Sequence, residues 1–457
     1  MKRLFLLILM MYFSSIINAE KSTISLEESI KLAKKNNKEI LAEKSSLTSA
    51  NWMQKNALTN FFPKTSFNST TIRIDNDTFD KASKVTEIPV FGPTGAPTGD
   101  YIPFSATAMS NGFYKTTYMN NITVQQPIFN GGKVILGYQL AKLAKEQAVY
   151  SLQNKENDIS FQVASTYFNI LKLQELKKLS EKSLESTESH LKMVQDKFQS
   201  GMAKKSDILQ WQVKLQNDRT SLNEIENNLN ILLSLWGNIL GIEGDVPIPI
   251  RVDVKNYNNE IDEINSQQSD NSLKEFLSKV KAENSNIRIM DLTQKMLKKS
   301  YLIAKGNFLP SLNLQFTYEI EKDNKLDFSG DDNWNLVAAF SFPLFSSGAN
   351  YTNLQKAKYD LRKVKYSTKS VKENILIGAK SSYLNMNTKA ETIRNNKIAL
   401  SFAEENSKII NDLFEQGMVT NSELLDAEVM IFASKMNLVT SYYDFILTKY
   451  NLKKYTQ

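Results

Sequence analysis

The chain has 457 residues, 41% of them hydrophobic, a formal charge of +7, no cysteine and one histidine, His190. That length allows two or three domains with a sizeable core; the missing cysteines exclude disulfides, thiol chemistry and thiol-linked lipid anchors. A histidine-based metal or acid–base centre is not expected, and the charge forms no basic patch of the kind that nucleic acid requires.

Lys2 and Arg3 precede an apolar run from Leu4 to Ile17, and Ala19 supplies a small residue for cleavage. Residues 1–19 therefore read as a secretory signal peptide, too short and wrongly flanked to span a membrane. From about Ile24 to Asn60 the apolar residues Leu26, Ile30, Ala33, Ile40 and Leu47 recur at helical spacing, with a break at Asn36-Asn37. After Pro63 the period weakens towards two, over Ser66–Ile74 and Thr117–Gln126, which predicts a β-hairpin at about 64–128. Between its strands, residues 77–115 form a long Gly- and Pro-rich loop. From Gly132 to about Gln199 the pattern is helical again. Phe198-Gln-Ser-Gly201-Met202 then makes a turn, at about 199–206, and a returning helix follows over Ser206–Trp236.

Residues 241–271 break the pattern with Pro247, Pro249 and an Asn/Gln/Ser-rich run, and read as a linker with at most one short strand. Then the whole plan repeats. Leu273–Asn307 repeats the first helix, and Asn307-Phe308-Leu309-Pro310 matches Asn60-Phe61-Phe62-Pro63 at a separation of 247. Leu312, Leu314, Phe316, Tyr318 and Ile320 alternate with polar residues, and Trp334, Leu336, Ala338 and Phe340 do likewise. A second hairpin is expected at about 311–344, with strands of about 9–12 residues that suit a tilted crossing of a bilayer. Gly348 to about Glu415 repeats the long helix, the turn returns at about 415–422, and Ser422–Lys454 repeats the returning helix. The two structural repeats are thus 20–240 and 272–457.

From the second strand onward the separation is constant at 216: Pro127 meets Pro343, Gly132 meets Gly348, Phe198 meets Phe414, and Gly201-Met202 meets Gly417-Met418. A helix tolerates no net insertion without rotating its buried face, so this constancy predicts rigid rods of roughly 67 residues and about 100 Å. Heptad-spaced Leu184, Leu191 and Phe198, echoed by Ile393, Leu400 and Phe414, predict coiled-coil partners for them. The change from 247 to 216 arises within the hairpin loops, because the first carries 31 more residues than the second. Outward-facing loops accept such insertions.

Four membrane strands cannot close a barrel, and an open edge in lipid costs several kcal/mol per unsatisfied backbone group. The smallest bacterial barrels have about 8 strands. The chain is therefore expected to pool strands with copies of itself, three copies giving twelve. Pro127 and Pro343 would mark where strand gives way to helix, with Gly131, Gly132 and Gly348 allowing the change of direction.

The signal peptide, the duplicated helix–hairpin–long helix–return helix plan, P-[IL]-F-x-x-G after the second strand and F-x-x-G-M-x-x-x-S-[DE]-x-L at the far turn together resemble the TolC family of outer-membrane efflux channels. The likeness covers essentially the whole mature chain. It implies a mainly α fold with membrane β-structure: a homotrimeric, 12-stranded outer-membrane barrel continuous with a periplasmic α-helical barrel. It also implies location in the outer membrane of a Gram-negative bacterium. Implied partners are outer-membrane lipid, a periplasmic adaptor and an inner-membrane transporter of RND, ABC or MFS type, in a tripartite efflux or type I secretion system exporting drugs, toxins or proteins. No cofactor is implied. The family's lipoprotein branch carries an N-terminal cysteine that this chain lacks.

Gly201 and Gly417 suit a positive φ at a helix end, and Ser206 and Ser422 suit N-caps of the returning helices. By resemblance, the tips formed by Gly201, Met202, Ser206, Asp207, Gly417, Met418 and Ser422 are the adaptor contact; a good helical turn is the plainer reading. Glu423 and Asp426 share a helix face. By resemblance they form an acidic ring at the periplasmic entrance, whereas Thr420-x-x-Glu423 is also a capping box. The family's basic latch residue, two after the glycine, is Val419 here and Ala203 in the other repeat, and its latch aromatic is Phe414 without a hydroxyl. Trp334, Phe340, Phe342 and Phe345 suit either an interfacial girdle or a buried face. His190 reads as an ordinary rod residue. The rival reading is a periplasmic coiled-coil adaptor or scaffold that crosses no membrane; an enzyme is the most distant, because no nucleotide loop, zinc spacing or triad is present.

Overall fold

Two uninterrupted helices of 67 residues, Lys133–Gln199 and Ala349–Glu415, begin and end at matching positions of the two repeats. The computed structural model describes residues 23–105, 115–266, 270–323, 325–326, 328–329 and 331–456. The leader read over residues 1–19 lies outside them. In chain order the elements are β1 (Thr23–Ile24), α1 (Leu26–Asn36), α2 (Lys38–Thr59), β2 (Lys64–Arg73), α3 (Asn76–Ala82), β3 (Val85–Phe91), β4 (Pro97–Ser105), β5 (Thr116–Asn130) and α4 (Lys133–Gln199). They continue with α5 (Lys205–Leu240), β6 (Ile248–Pro249), a 3₁₀ turn (Val254–Tyr257), α6 (Asn258–Ser266), α7 (Asp270–Glu283), α8 (Ser285–Gly306), β7 (Ser311–Asp323), β8 (Asp331–Ser341), α9 (Ala349–Glu415) and α10 (Asn421–Lys454).

One compact unit comprises residues 51–143 and 295–363. Its centre is an antiparallel sheet in the order β2-β5-β7-β8. The register sorts side chains by face. Phe67, Ile122, Tyr318 and Trp334 fall in one row, and Phe316 faces Leu336 on that same side. Asn68, Asn121, Glu319 and Asn333 fall in a row on the other side, with Ser66, Thr123, Thr317 and Asn335 beside them. A period of two therefore divides the sheet into an apolar and a polar face. The segment 77–115, expected as a loop, instead holds α3 and the β3–β4 hairpin, where Ile88 pairs with Ile102; residues 106–114 lie outside the described set. Trp334, Phe340, Phe342 and Phe345 are exposed on the chain, so none of them packs into its own core.

The other compact unit takes the chain up to residue 50, then 144–294, then 364 onward. Its core gathers Tyr167, Phe168, Trp236, Tyr443 and Phe445 from both repeats. Tyr167 Oη donates to Ile250 O at 2.8 Å and Trp236 Nε1 to Pro247 O at 2.9 Å, tying the linker to the helices. The linker holds one short strand, β6, which pairs in parallel with β1, and is more ordered than expected beyond it, where α6 follows the 3₁₀ turn. The chain at Ile24 is accordingly strand, and α1 starts only at Leu26, where Ser25 and Glu28 form a capping box.

The helix break read at Asn36-Asn37 falls on Asn37, and it too is duplicated. Asn37 Oδ1 accepts from Glu39 N at 3.0 Å and Ile40 N at 3.3 Å, while its Nδ2 donates to Ile239 O at 3.0 Å. Asn284, 247 residues on, accepts from Asn286 N at 3.1 Å and Ile287 N at 3.3 Å and donates to Tyr455 O at 3.2 Å. Each side chain caps one helix start and one helix end at once. Both asparagines are buried, so no water replaces the lost partners. Asn37→Ala and Asn284→Ala are each expected to cost about 2 kcal/mol. Chemical denaturation in detergent, followed by helical circular dichroism, measures this; an unchanged midpoint would remove the caps from the account.

Candidate functional site

Both helix-to-helix turns close with the same hydrogen bonds. Met202 N donates to Lys197 O at 2.8 Å and Gly201 N to Phe198 O at 3.0 Å; Met418 N donates to Leu413 O at 2.9 Å and Gly417 N to Phe414 O at 3.1 Å. This is the Schellman ending, and it places Gly201 at φ +76° and Gly417 at φ +73°, where a Cβ would be strained. Met202 and Met418 are exposed at the turns.

The N-caps differ from expectation. α5 begins after Lys204 and α10 after Thr420, so Ser206 and Ser422 lie inside the first turns. The reason is the acid three residues past each true cap. Lys204 N donates to Asp207 Oδ2 at 2.9 Å; Thr420 N donates to Glu423 Oε2 at 2.6 Å, and Glu423 N to Thr420 Oγ1 at 3.3 Å. The backbone and hydroxyl of Thr420 hold the Glu423 carboxyl below its ordinary value. Glu423 and Asp426 are both exposed.

Beneath the turns the two repeats lock together. Val194, Ile208, Trp211, Phe414 and Leu424 form a buried cluster, with Val419 and Ala203 packed against it. Trp211 Nε1 donates to Asn421 Oδ1 at 2.6 Å, and Asn421 Nδ2 donates to Gln210 Oε1 at 2.8 Å. Lys197 Nζ donates to Phe414 O at 2.9 Å and sits 3.9 Å above that ring. His190 is no ordinary rod residue. It stacks on Trp211 with ring centroids 4.9 Å apart, and its Nε2 lies 3.5 Å from Glu428 Oε1, which belongs to the other repeat. Ser186 Oγ donates to Glu428 Oε2 at 3.3 Å. The sequence signal for Trp211, Lys197, His190 and Asn421 was faint: each stands where the repeats disagree, with Trp211 against Ala427 and Lys197 against Leu413.

At the other end of the long helices, the proposed transition residues separate into two kinds. Pro127 lies inside β5, not at its end. It falls beyond the last β2–β5 pair, Lys64–Gln125, and a register shift between Pro127 and Phe129 accommodates its missing N–H. The chain turns at Gly131 (φ +67°) and Gly132 (φ +78°). A Cβ on Gly131 would collide with the Gly306 carbonyl, so close approach as well as φ requires glycine there. In the second repeat β8 ends at Ser341, Pro343 follows it, and Ser347 and Gly348 both have positive φ. Asn130 Oδ1 accepts from Val134 N at 3.2 Å and Ser346 Oγ from Asn350 N at 3.4 Å, equivalent caps for the two long helices.

No helix among the described residues is long and apolar enough to cross a membrane. The sheet, with one apolar and one polar face, has the strand length and alternation of a channel wall. A duplicated helical chain carrying such a sheet defines the class of outer-membrane channels that extend into the periplasm. The family model described as outer membrane efflux protein matches residues 29–234 and 276–456. The chain is 21% identical over 372 residues to the outer membrane protein TolC of Escherichia coli, covering 78% of this chain and 72% of that relative. Its fold matches solved CusC with a TM-score of 0.76 at 14% identity, over 94% of this chain and 91% of that one. It matches the CmeC outer membrane channel of Campylobacter jejuni with a TM-score of 0.73 at 15% identity, over 94% and 85%. The chain belongs to the outer membrane efflux protein family. It is an outer-membrane exit duct reaching into the periplasm, part of a tripartite export system and not an enzyme. The reading as a membrane-free periplasmic adaptor is set aside by the same match.

His190 is the largest influence on Glu428, holding its half-buried carboxyl below the ordinary value of 4.5. A depressed folded value stabilises above the ordinary value and loses that contribution as pH falls through the folded one. Glu428→Gln is therefore expected to lower the melting temperature at pH 7, by about 2 °C, with the gap narrowing as pH falls below the ordinary value of 4.5 towards the lower folded one. Thermal melting across pH 3–7 checks this, and a gap independent of pH would contradict it.

Proposed function

We propose that three copies of the chain pool their sheets into a twelve-stranded barrel and their long helices into a periplasmic helical barrel. The observation that carries this reading is the pair of bare sheet edges. Among the described residues β2 pairs only with β5 and β8 only with β7, and lipid offers an open edge no hydrogen bonds. Pairing β8 of one copy with β2 of the next removes both edges and puts the polar face around a lumen. Trp334 and Phe340, six residues apart and hence roughly 20 Å along the strand, would then reach the two lipid interfaces as an aromatic girdle. Exposed α9 side chains such as Tyr359, Tyr366, Ile377 and Leu384 are the further apolar surface that neighbouring helices would cover.

In this assembly the turns at Gly201-Met202 and Gly417-Met418 are the contact for a periplasmic adaptor, which couples the duct to an inner-membrane pump of RND, ABC or MFS type. Exposed methionines at both turns support that role, since Met adapts to varied partners. Glu423 and Asp426 of three copies would place six carboxylates at the entrance, favouring cations. Capping of α10 by Glu423 is compatible with this, because a capping carboxylate remains charged. Cargo, whether drug-sized molecules or proteins, crosses passively.

Native mass spectrometry in detergent is expected to give a trimer, and a lone water-soluble monomer would defeat the reading. Glu423→Ala with Asp426→Ala is expected to reduce cation preference and block by multivalent cations in planar bilayers severalfold; unchanged selectivity would reject the ring. Gly201→Asp with Gly417→Asp should abolish adaptor capture in pull-down from trimers that still form, and undiminished capture would move the contact elsewhere.

A further inference from the structure

A cavity of about 850 Å³ lies between the polar face of the sheet and the adjoining ends of α2 and α4. All of its walls belong to the compact unit that carries the sheet. Two lysines line it, Lys64 on β2 and Lys133 at the start of α4; no aspartate or glutamate does, so neither ammonium is neutralised within the cavity. Amides stand beside them. Gln125 Nε2 donates to Gln315 Oε1 at 3.2 Å, and Gln315 Nε2 donates to Thr317 Oγ1 at 3.3 Å, a chain of polar groups across the strands. Tyr138 reaches the same space, its ring edge-on to Phe61 with centroids 6.0 Å apart. Met53, Ala57 and Leu140 give the cavity an apolar side.

Gly137, in the second turn of α4, also lines this space. Glycine weakens a helix interior. Neither of its usual reasons holds here: its φ is not positive, and a Cβ built on it meets nothing within 4 Å. What the missing side chain leaves is room in the cavity. Shifted by the repeat separations, Lys64, Lys133 and Gly137 become Ser311, Ala349 and Asn353. The second repeat therefore has neither the cations nor the glycine, and nothing in the plan shared by the two repeats calls for them in the first.

The polar face changes sign along its length. Glu319 and Glu321 stand four and six residues beyond Gln315 on β7, about 13 Å and 20 Å along the strand. Charges are screened over about 8 Å at physiological ionic strength, so these carboxylates do not cancel the field of the lysines.

We infer that this cavity is a binding site for amphiphilic organic anions on the export path, with Lys64 and Lys133 holding the acid group and Met53, Ala57 and Leu140 bedding the apolar body. A volume of this size takes a drug-sized solute. The ammonium groups select the sign of its charge, and the amides and the Tyr138 hydroxyl bond its remaining polar atoms. Binding needs only one protomer. Its place on the path rests on the trimeric reading above, which turns the polar face towards the lumen.

The fluorescein dianion and rhodamine methyl ester, a cation on the same xanthene frame, are suitable probes. Fluorescence anisotropy with the purified full chain in non-ionic detergent is expected to show saturable binding of fluorescein and none of the rhodamine ester. Lys64→Gln and Lys133→Gln should each weaken fluorescein about tenfold, the effect of one charge-assisted hydrogen bond. Lys322→Gln, which removes the same charge from the opposite face of β7, should leave it within twofold. Gly137→Leu favours the helix but fills the cavity, and should weaken binding more than tenfold with no loss of melting temperature. In planar bilayers fluorescein should interrupt the current, with interruptions severalfold shorter in the two lysine variants. The inference is overturned if the rhodamine ester binds as well as fluorescein, if Gly137→Leu binds as the parent does, or if both lysine variants do. Fluorescein that binds at the lysines without interrupting the current would take the cavity off the path and overturn its role in export. Monomers in native mass spectrometry would defeat the trimeric reading separately, since anisotropy reports a site contained in one chain.

Discussion

A strand at the edge of a sheet carries a row of N–H and C=O groups, and in lipid those groups have no solvent to turn to. The four-stranded sheet β2-β5-β7-β8 ends in two such rows. Everything particular about this chain's economy of strands follows from that constraint. Each repeat contributes one hairpin, and β5 pairs with β7 to join the two hairpins into one sheet. The wall is sorted by a period of two, so that an apolar row through Phe67, Ile122, Tyr318 and Trp334 backs onto a polar row through Asn68, Asn121, Glu319 and Asn333. A wall so sorted is complete on both faces and unfinished on both edges.

The legibility of this fold in its sequence follows the same physics. The long helices were readable because an insertion of one residue turns a helical face by about 100°, so the two repeats kept a common length between Pro127 and Gly201 and between Pro343 and Gly417. β7 was readable because Leu312 to Ile320 alternates cleanly; β2, whose Lys64–Arg73 segment is mostly hydroxyl and amide side chains, was weaker. What could not be read was set by distant contacts. The pairing of Thr23–Ile24 with Ile248–Pro249 joins two dipeptides with no pattern of their own. The hairpin from Val85 to Ser105 hides in a Gly- and Pro-rich segment whose composition reads as loop. Ser206 and Ser422 suit caps by residue type alone. The actual caps were decided by Asp207 and Glu423, whose carboxylates reach back to the backbone of Lys204 and Thr420.

The candidate site shows the limit of duplication as evidence. Matching residues, such as Gly201 and Gly417 or Met202 and Met418, mark what both turns need in order to exist: the same Schellman closure. They say nothing of how one turn meets another. That information lies in the mismatches. Trp211, Lys197, His190 and Asn421 have no counterparts of similar chemistry, and all four take part in contacts between the repeats. Equivalent positions meet different neighbours, so a residue that joins the repeats need have no like counterpart, although Phe414, which matches Phe198, takes part as well.

The displaced charge at the second turn follows the same logic. By resemblance, a basic residue two after the glycine belongs to the family's latch, and here that position is Val419, packed against the cluster around Trp211. A cation is nonetheless present. It comes from Lys197 on the neighbouring long helix, whose ammonium reaches the Phe414 carbonyl in the last turn of α9. The carbonyls at a helix end carry the negative end of its macrodipole and lack partners within the helix. A lysine approaching from another helix gives the Phe414 carbonyl, already bonded by Gly417 N, a second donor and lies over the Phe414 ring as well. Moving the charge from α10's approach to α4 changes which elements it joins. A residue at 419 could reach outward from its own turn, whereas Lys197 ties the first repeat to the second within one chain. Val419 and Phe414 are therefore both packed into the junction that Lys197 closes.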